Sequence, residues 1–361
     1  LRPRVVILSA FLTPFRSGAE ACAEEVAARL QNEFDITIVT AKMKPGLPRE
    51  DRLPSGVRVR RVGLGLPIDK WLFPFLAPFA ARKCKPQIVH AVLESYAGLA
   101  LAFSGCVIPT AKRLLTCQST NTALLLGPIH KVAHRVTAIS SVLVERAKGF
   151  GVDAVLIPNG IPLKEIEAER VRTPKVSGRM LFVGRLEEMK GVDTLLEAFQ
   201  KLKVDSGKLK VVGGGSLRPS LERLATELGV SDRVTFTGML SAPALFKEYA
   251  EAEVFVGLSR SEALGNVFLE AQAAGCVVVA TNVGGIPDIV QDASSELSTG
   301  SVTGLLVPPD DPDAAAAAIS KLLSDEGLRK RLADQGRENA KNYDWDGIAE
   351  KYEQEYRALL S

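Results

Sequence analysis

Short runs of β-branched and aliphatic residues, bounded by glycine and proline, alternate with longer amphipathic stretches from one end of the chain to the other. Continuous apolar runs of this length are the pattern of strands covered on both faces, and the stretches between them supply the covering helices. The first half predicts strands at Val5–Ser9, Ile36–Thr40, Val57–Val62, Ile88–Val92, Arg113–Cys117, Val136–Ile139 and Val155–Ile157. The second half predicts them at Met180–Val183, Lys210–Val212, Val234–Phe236, Val254–Val256, Val277–Ala280 and Leu305–Val307. Two such series make an α/β protein of two doubly wound, Rossmann-like domains. The turn-forming Ile157-Pro158-Asn159-Gly160-Ile161-Pro162 and the polar stretch 164–177 mark the join. The domains are then residues 1–163 plus 343–361, and residues 164–342. Tyr343 to Ser361 predicts a helix with Trp345, Ile348, Tyr352 and Tyr356 in one apolar stripe. The second sheet has no face left for that stripe once the helix after Asp313 has closed it. The helix is therefore expected to cross back onto the first domain.

A length of 361 residues with 46% hydrophobic content supports two cores. The net charge of +3 argues against a nucleic-acid partner held by phosphate neutralisation. Cys22, Cys84, Cys106, Cys117 and Cys276 are odd in number and form no C-x-x-C, which suits reduced core thiols better than disulfides or zinc. With no secretory leader pattern and no 18-residue apolar span, the expectation is a soluble, cytoplasmic protein.

The most informative stretch runs from Ser259 through Arg260, Glu262, Leu264, Gly265 and Asn266 to Glu270 and Ala271. A helix is expected over about 266–274, stopped by Gly275, with Glu262 on the loop feeding it and Glu270 two turns along. At 1.5 Å rise per residue the two carboxylates are roughly 12 Å apart. That exceeds the spacing of a glycosidase pair, but it suits contacts at opposite ends of one elongated ligand. The helix N-terminus between them offers free N–H groups to a phosphate. Polyol, phosphate, polyol describes a nucleotide-diphosphate sugar. The plainer alternative is an amphipathic helix with one solvated Glu and one Glu favoured by the helix dipole.

Open α/β sheets bind ligands beyond the carboxyl ends of their strands, so the residues after each strand matter most. After the first come Pro14-Phe15-Arg16-Ser17-Gly18, a turn into a helix where Gly18 lets the backbone approach a phosphate. Gly184-Arg185-Leu186-Glu187-Glu188-Met189-Lys190-Gly191 carries two cations around a loop, a clamp for a diphosphate. Its alternative is a solvated loop with Glu187 and Glu188 neutralising both cations. Val212-Gly213-Gly214-Gly215 lacks the full dinucleotide fingerprint and reads as a tight βα turn.

Together these pieces resemble the retaining group 1 glycosyltransferases of family 4, which have the GT-B fold. The resemblance covers nearly the whole chain. It rests on Gly184-Arg185 with Lys190-Gly191, on Ile157-Pro158-Asn159-Gly160, on Val212-Gly213-Gly214-Gly215, on Val283-Gly284-Gly285-Ile286-Pro287-Asp288, and above all on Glu262 through Glu270. It implies two domains facing across a cleft and a closing helix that returns to the first. It also implies transfer of a sugar from a nucleotide-diphosphate sugar to an acceptor hydroxyl, with retention and no covalent intermediate, in glycan, glycolipid or polysaccharide biosynthesis. Arg185, Lys190 and Glu262 would be the catalytic residues, the cations on the diphosphate and Glu262 on the sugar hydroxyls. Gly184, Leu264, Gly265 and Asn266 would meet sugar and phosphates, and Glu270 the ribose. Gly238 and Met239 would border the base, and Gly18 would close over the diphosphate.

One position departs from the family. The histidine that commonly follows a Thr-x pair in the first domain is replaced here, in Thr116-Cys117-Gln118, by Gln118. A glutamine amide hydrogen-bonds a sugar hydroxyl but cannot titrate. Gln118 and His90 are the candidate acceptor or sugar contacts, a structural His90 being the alternative. His130 and His134 lack the Glu of a zinc helix, and no Asp-x-Asp ends a strand, so no metal and no cofactor beyond the donor are implied. Trp71, Phe73, Phe75 and Phe79 followed by Arg82, Lys83 and Lys85 suit a peripheral membrane contact and a carbohydrate or lipid-linked acceptor. The alternative is a core helix broken by Pro74 and Pro78. Two other functions fit the same architecture: a nucleotide-sugar epimerase, and a nucleotide-sugar-binding protein without turnover.

Overall fold

In the computed structural model, which describes residues 2–15, 18–121, 125–202, 207–292 and 302–361, every apolar run named above forms a strand. Internal contacts divide the chain into two units, Leu1–Gly160 with Trp345–Ser361, and Ile161–Asp344.

The first unit contains β1 (Arg4–Leu8), β2 (Asp35–Ala41), β3 (Glu50–Arg52), β4 (Arg58–Val62), β5 (Ile88–Val92), β6 (Lys112–Cys117), β7 (Arg135–Ala138) and β8 (Ala154–Leu156). They form one sheet in the order β3-β4-β2-β1-β5-β6-β7-β8. Every pairing is parallel except β3 on β4. The β3 sequence, Glu50-Asp51-Arg52, is wholly exposed and has no apolar residue, so hydrophobic patterning could not reveal it. A short charged strand also blunts the sheet edge it occupies.

Trp345, Ile348, Tyr352 and Tyr356, on the helix Trp345–Leu360, are buried in the same core as Val26 and Leu30 of the helix Gly18–Leu30. The expected return of the closing helix to the first sheet is what the molecule does. The helix Asp69–Arg82 is not broken by Pro74 and Pro78, which lie inside it. It buries Phe73, Ala77 and Ala81 but leaves Trp71, Phe75 and Phe79, spaced i, i+4, i+8, exposed. It is thus half a core helix and half an apolar surface.

The second unit contains β9 (Arg179–Val183), β10 (Lys208–Val212), β11 (Val234–Gly238), β12 (Val254–Gly257), β13 (Val277–Thr281) and β14 (Gly304–Val307). All are parallel, in the order β11-β10-β9-β12-β13-β14. Met180, Phe182, Leu195, Phe199, Val211 and Val256 form the heart of its core. Strand order reverses between β9 and β12 here, and between β1 and β5 in the first unit. At such a switch point the loops leaving adjacent strands diverge to opposite faces and open a crevice at the carboxyl ends.

All five cysteines are free thiols, as expected, but only Cys22, Cys117 and Cys276 are buried; Cys106 is exposed. No described helix is long and apolar enough to cross a membrane.

Candidate functional site

The loops flanking the β9/β12 switch point carry the residues that the sequence singled out. Beyond β9, Gly184 N–H donates to Val212 O (3.0 Å) and Leu186 N–H to Gly214 O (2.9 Å), while Gly213 N–H donates to Gly238 O (2.9 Å). These bonds lock the loops after β9, β10 and β11 into one layer. Arg185 stands on that layer with its side chain 65% exposed, paired with Glu187 at 2.9 Å. Glu188–Lys190 then forms one 3₁₀ turn that points Lys190 the other way. Its ammonium lies 2.5 Å from Glu262 Oε2. So the solvated-loop alternative describes Arg185, whereas Lys190 is neutralised by Glu262 and not by Glu188.

Glu262 is held by backbone as well. Its carbonyl accepts from Gly285 N–H at 3.1 Å, and a Cβ on Gly284 would sit 1.9 Å from the same oxygen. Gly284, at φ +55°, is therefore required both for its conformation and for the close approach. Gly265 precedes the helix Asn266–Ala273 in the left-handed region, and Leu264 is buried beneath it. The first amides of that helix have no acceptor within it and lie at the loop that carries Glu262. About one turn into that helix, Glu270 is partly buried and accepts from Tyr249 Oη–H at 2.9 Å. Burial, then the neighbouring Glu270 charge, pushes the Tyr249 phenol well above its ordinary range, so it remains a donor. Glu270 is not the solvated side chain of the plainer alternative. Gly238 ends β11 and Met239 beyond it is 81% exposed.

The first unit has its own polar cluster at the ends of β5, β6 and β8. The buried Glu94 carboxylate pairs with Arg146 and accepts from Gln118 N–H at 2.9 Å. The side-chain amides of Gln118 and Asn159 exchange two hydrogen bonds, 3.0 and 2.9 Å. His90 is fully buried, its Nδ1 2.8 Å from Tyr356 Oη and its Nε2 2.7 Å from Thr116 Oγ1. Burial alone depresses its pKa to about 3. With both nitrogens bonded inside the core, His90 has the geometry of a structural residue. Gly18 opens the helix Gly18–Leu30 and is exposed; Arg16 and Ser17 of the same turn lie outside the described residues.

Glu94, Cys117 and His130 are buried with potential ligand atoms within 4.8 Å of one another, a grouping that sequence spacing did not reveal. His130 Nδ1 lies 2.7 Å from Leu126 O, and its Nε2 3.2 Å from Cys117 Sγ. Burial, followed by the charge of Glu94, pushes the Cys117 thiol well up, so the S–H is retained and donates to Nε2. The positive charge that this cluster accommodates is the guanidinium of Arg146. Arg260, to which the sequence pattern gives no role of its own, bonds Glu188 O after β9, Asp193 in the following helix and Asp310 after β14.

Residues 164–339 match the model of glycosyl transferases group 1, and residues 16–165 that of glycosyltransferase family 4. The GDP-mannose-dependent alpha-(1-6)-phosphatidylinositol monomannoside mannosyltransferase of Mycobacterium tuberculosis is 32% identical over 94% of this chain and 86% of its own length. An uncharacterized glycosyltransferase of Methanocaldococcus jannaschii, MJ1607, is 37% identical over half of this chain, which spans only 45% of that relative. Among solved structures, a sucrose-phosphate synthase from Thermosynechococcus elongatus superposes over 99% of both chains with a TM-score of 0.83 and 25% identity. The chain belongs to the group 1 glycosyltransferases of family 4 and has their GT-B fold.

Proposed function

We propose that the protein transfers a hexosyl group from a nucleotide-diphosphate sugar to an acceptor hydroxyl with retention of configuration. The observation that carries this reading is the Lys190–Glu262 contact at the β9/β12 switch point, beside the N-terminus of a helix that bears Glu270 further along. Residues 164–342 would hold the donor, and residues 1–163 with 343–361 the acceptor. Glu270 takes the ribose hydroxyls, the amides of Leu264, Gly265 and Asn266 take phosphate and sugar oxygens, and Glu262 takes the hydroxyls of the transferred sugar. Gly184 leaves room for the diphosphate, and Gly238 and Met239 border the base.

In the reaction the bond from C1 to the diphosphate oxygen breaks and a bond from C1 to the acceptor oxygen forms on the same face. The acceptor proton passes to the departing phosphate, giving a glycoside and a nucleoside diphosphate. Negative charge on the leaving oxygen peaks in the transition state, where Lys190 and Arg185 offset it. Gln118, aligned by Asn159, would hydrogen-bond a sugar hydroxyl without titrating.

A lipid-linked acceptor is supported by the exposed Trp71, Phe75 and Phe79 on the helix Asp69–Arg82, with Arg82, Lys83 and Lys85 at its basic end. An aromatic face with a cationic end fits the interface of an anionic membrane. The mycobacterial relative, whose name specifies a phosphatidylinositol-based acceptor, points the same way.

Calorimetric titration with UDP, GDP and ADP, then with their sugars beginning with GDP-mannose, tests the reading. Micromolar binding of one diphosphate and turnover of its sugar are expected. No binding of any of the three would overturn it.

A further inference from the structure

Arg260 ties together three segments around the switch point. Its Nη1 and Nη2 meet the two carboxylate oxygens of Asp193 at 3.1 and 2.8 Å, a bidentate pair in the first turn of the helix Val192–Gln200. Nη2 also lies 3.3 Å from Thr194 Oγ1, and Nε donates to Asp310, beyond β14, at 2.6 Å. Nη1 donates to Glu188 O at 2.5 Å, and the Arg260 backbone N–H donates to Met189 O at 2.8 Å. These last two bonds grip the 3₁₀ turn whose third residue is Lys190. Immediately after the turn, a Cβ on Gly191 would lie 2.0 Å from Leu258 O, so the turn's far end also lies against the segment that carries Arg260. Arg260 is thus bonded to the turn that carries Lys190, and it stands two positions before Glu262.

We propose that Arg260 is a positioning residue for transfer: anchored by its bidentate bond to Asp193, its guanidinium holds the 3₁₀ turn through Glu188 O against the Glu262 loop and so sets Lys190 and Glu262 in register for diphosphate and sugar. This rests on the transferase reading above and adds a residue to which that reading gives no role. A lysine cannot reproduce the arrangement. It keeps the charge but offers no planar fork for Asp193 while also reaching Glu188 O and Asp310. Glu270 lies further along, on the helix Asn266–Ala273.

The separation between the two halves of the ligand gives the test. In Arg260→Lys, donor turnover should fall at least tenfold and affinity for the nucleoside diphosphate by about as much, while affinity for the bare nucleoside stays within about twofold of wild type. Asp193→Asn, changed at a side chain 45% exposed and therefore expected to fold, should show the same split at smaller size. Combined with Arg260→Lys, it should add little. A merely structural arginine would lower nucleoside and diphosphate affinity together, and that result overturns the proposal. So does wild-type kcat in Arg260→Lys. If wild-type protein binds none of UDP, GDP and ADP, the transferase reading falls and takes this inference with it, an outcome read on a different sample.

Discussion

Lys190 and Glu262 are 72 positions apart in the chain, yet the Lys190 ammonium lies 2.5 Å from the Glu262 carboxylate. Each side chain is only about one-sixth exposed, at 16% and 15%. A cation so placed matters most where negative charge is developing and water is scarce. Lys190→Ala should therefore lower kcat about 100-fold or more, with a smaller change in donor KM. Initial rates over a range of donor concentration read the two apart. Equal losses in both would make Lys190 a ground-state anchor.

Glu270 is expected to control affinity instead of rate. A hydrogen bond to a charged group contributes ~1.5–3 kcal/mol, so Glu270→Ala should weaken nucleoside diphosphate binding about 10- to 100-fold. Tyr249→Phe keeps the carboxylate but frees it to reorient, and roughly a threefold to tenfold loss is expected. Calorimetry with the diphosphate decides. An unchanged affinity in Glu270→Ala would remove the ribose assignment.

His90 makes stability pH-dependent. Its folded pKa of about 3 lies below the ordinary 6.5, so between these values the unfolded chain holds a proton that the folded chain does not. The associated stability is complete above pH 6.5 and is lost as the pH falls toward 3. For one group the slope is about 1.4 kcal/mol per pH unit. Urea unfolding at pH 7, 6 and 5 should show a shallower dependence in His90→Gln than in wild type. Parallel slopes would mean that His90 does not titrate on unfolding.

The aromatic face of the helix Asp69–Arg82 predicts a separable defect. The triple change Trp71→Ser, Phe75→Ser, Phe79→Ser removes apolar surface that is already exposed, so folding should be little affected. Co-sedimentation with phosphatidylglycerol vesicles should drop roughly tenfold or more. Activity on a water-soluble acceptor should remain. Equal sedimentation of variant and parent would discard the membrane contact.

Strand positions and the pairing of elements into two sheets were legible because parallel strands buried on both faces leave an unbroken apolar signature. β3 was not, because an edge strand held by backbone pairing needs no hydrophobic residue. The helix Asp69–Arg82 exposed a limit of a different kind: two internal prolines suggested a break, but the surrounding packing kept the helix whole. At the site, the Glu262–Glu270 segment and the glycine turns could be read from local spacing. Partners such as Lys190 for Glu262, Tyr249 for Glu270, or Asn159 for Gln118 are set by which strand ends lie side by side. No local pattern contains that information. Arg260 illustrates the same limit, since its chemistry depends on Asp193, in the helix after β9, and Asp310, after β14.

The first unit is completed by a segment made only after the whole of the second. Until Trp345–Leu360 is synthesised, the sheet β1–β8 lacks Tyr352 and Tyr356 from its core, and His90 Nδ1 has no Tyr356 hydroxyl to meet. The second unit is a continuous stretch of chain and carries no such dependence. On the ribosome, the half with the Lys190–Glu262 site can therefore mature while the half encoded before it waits with an open apolar seam.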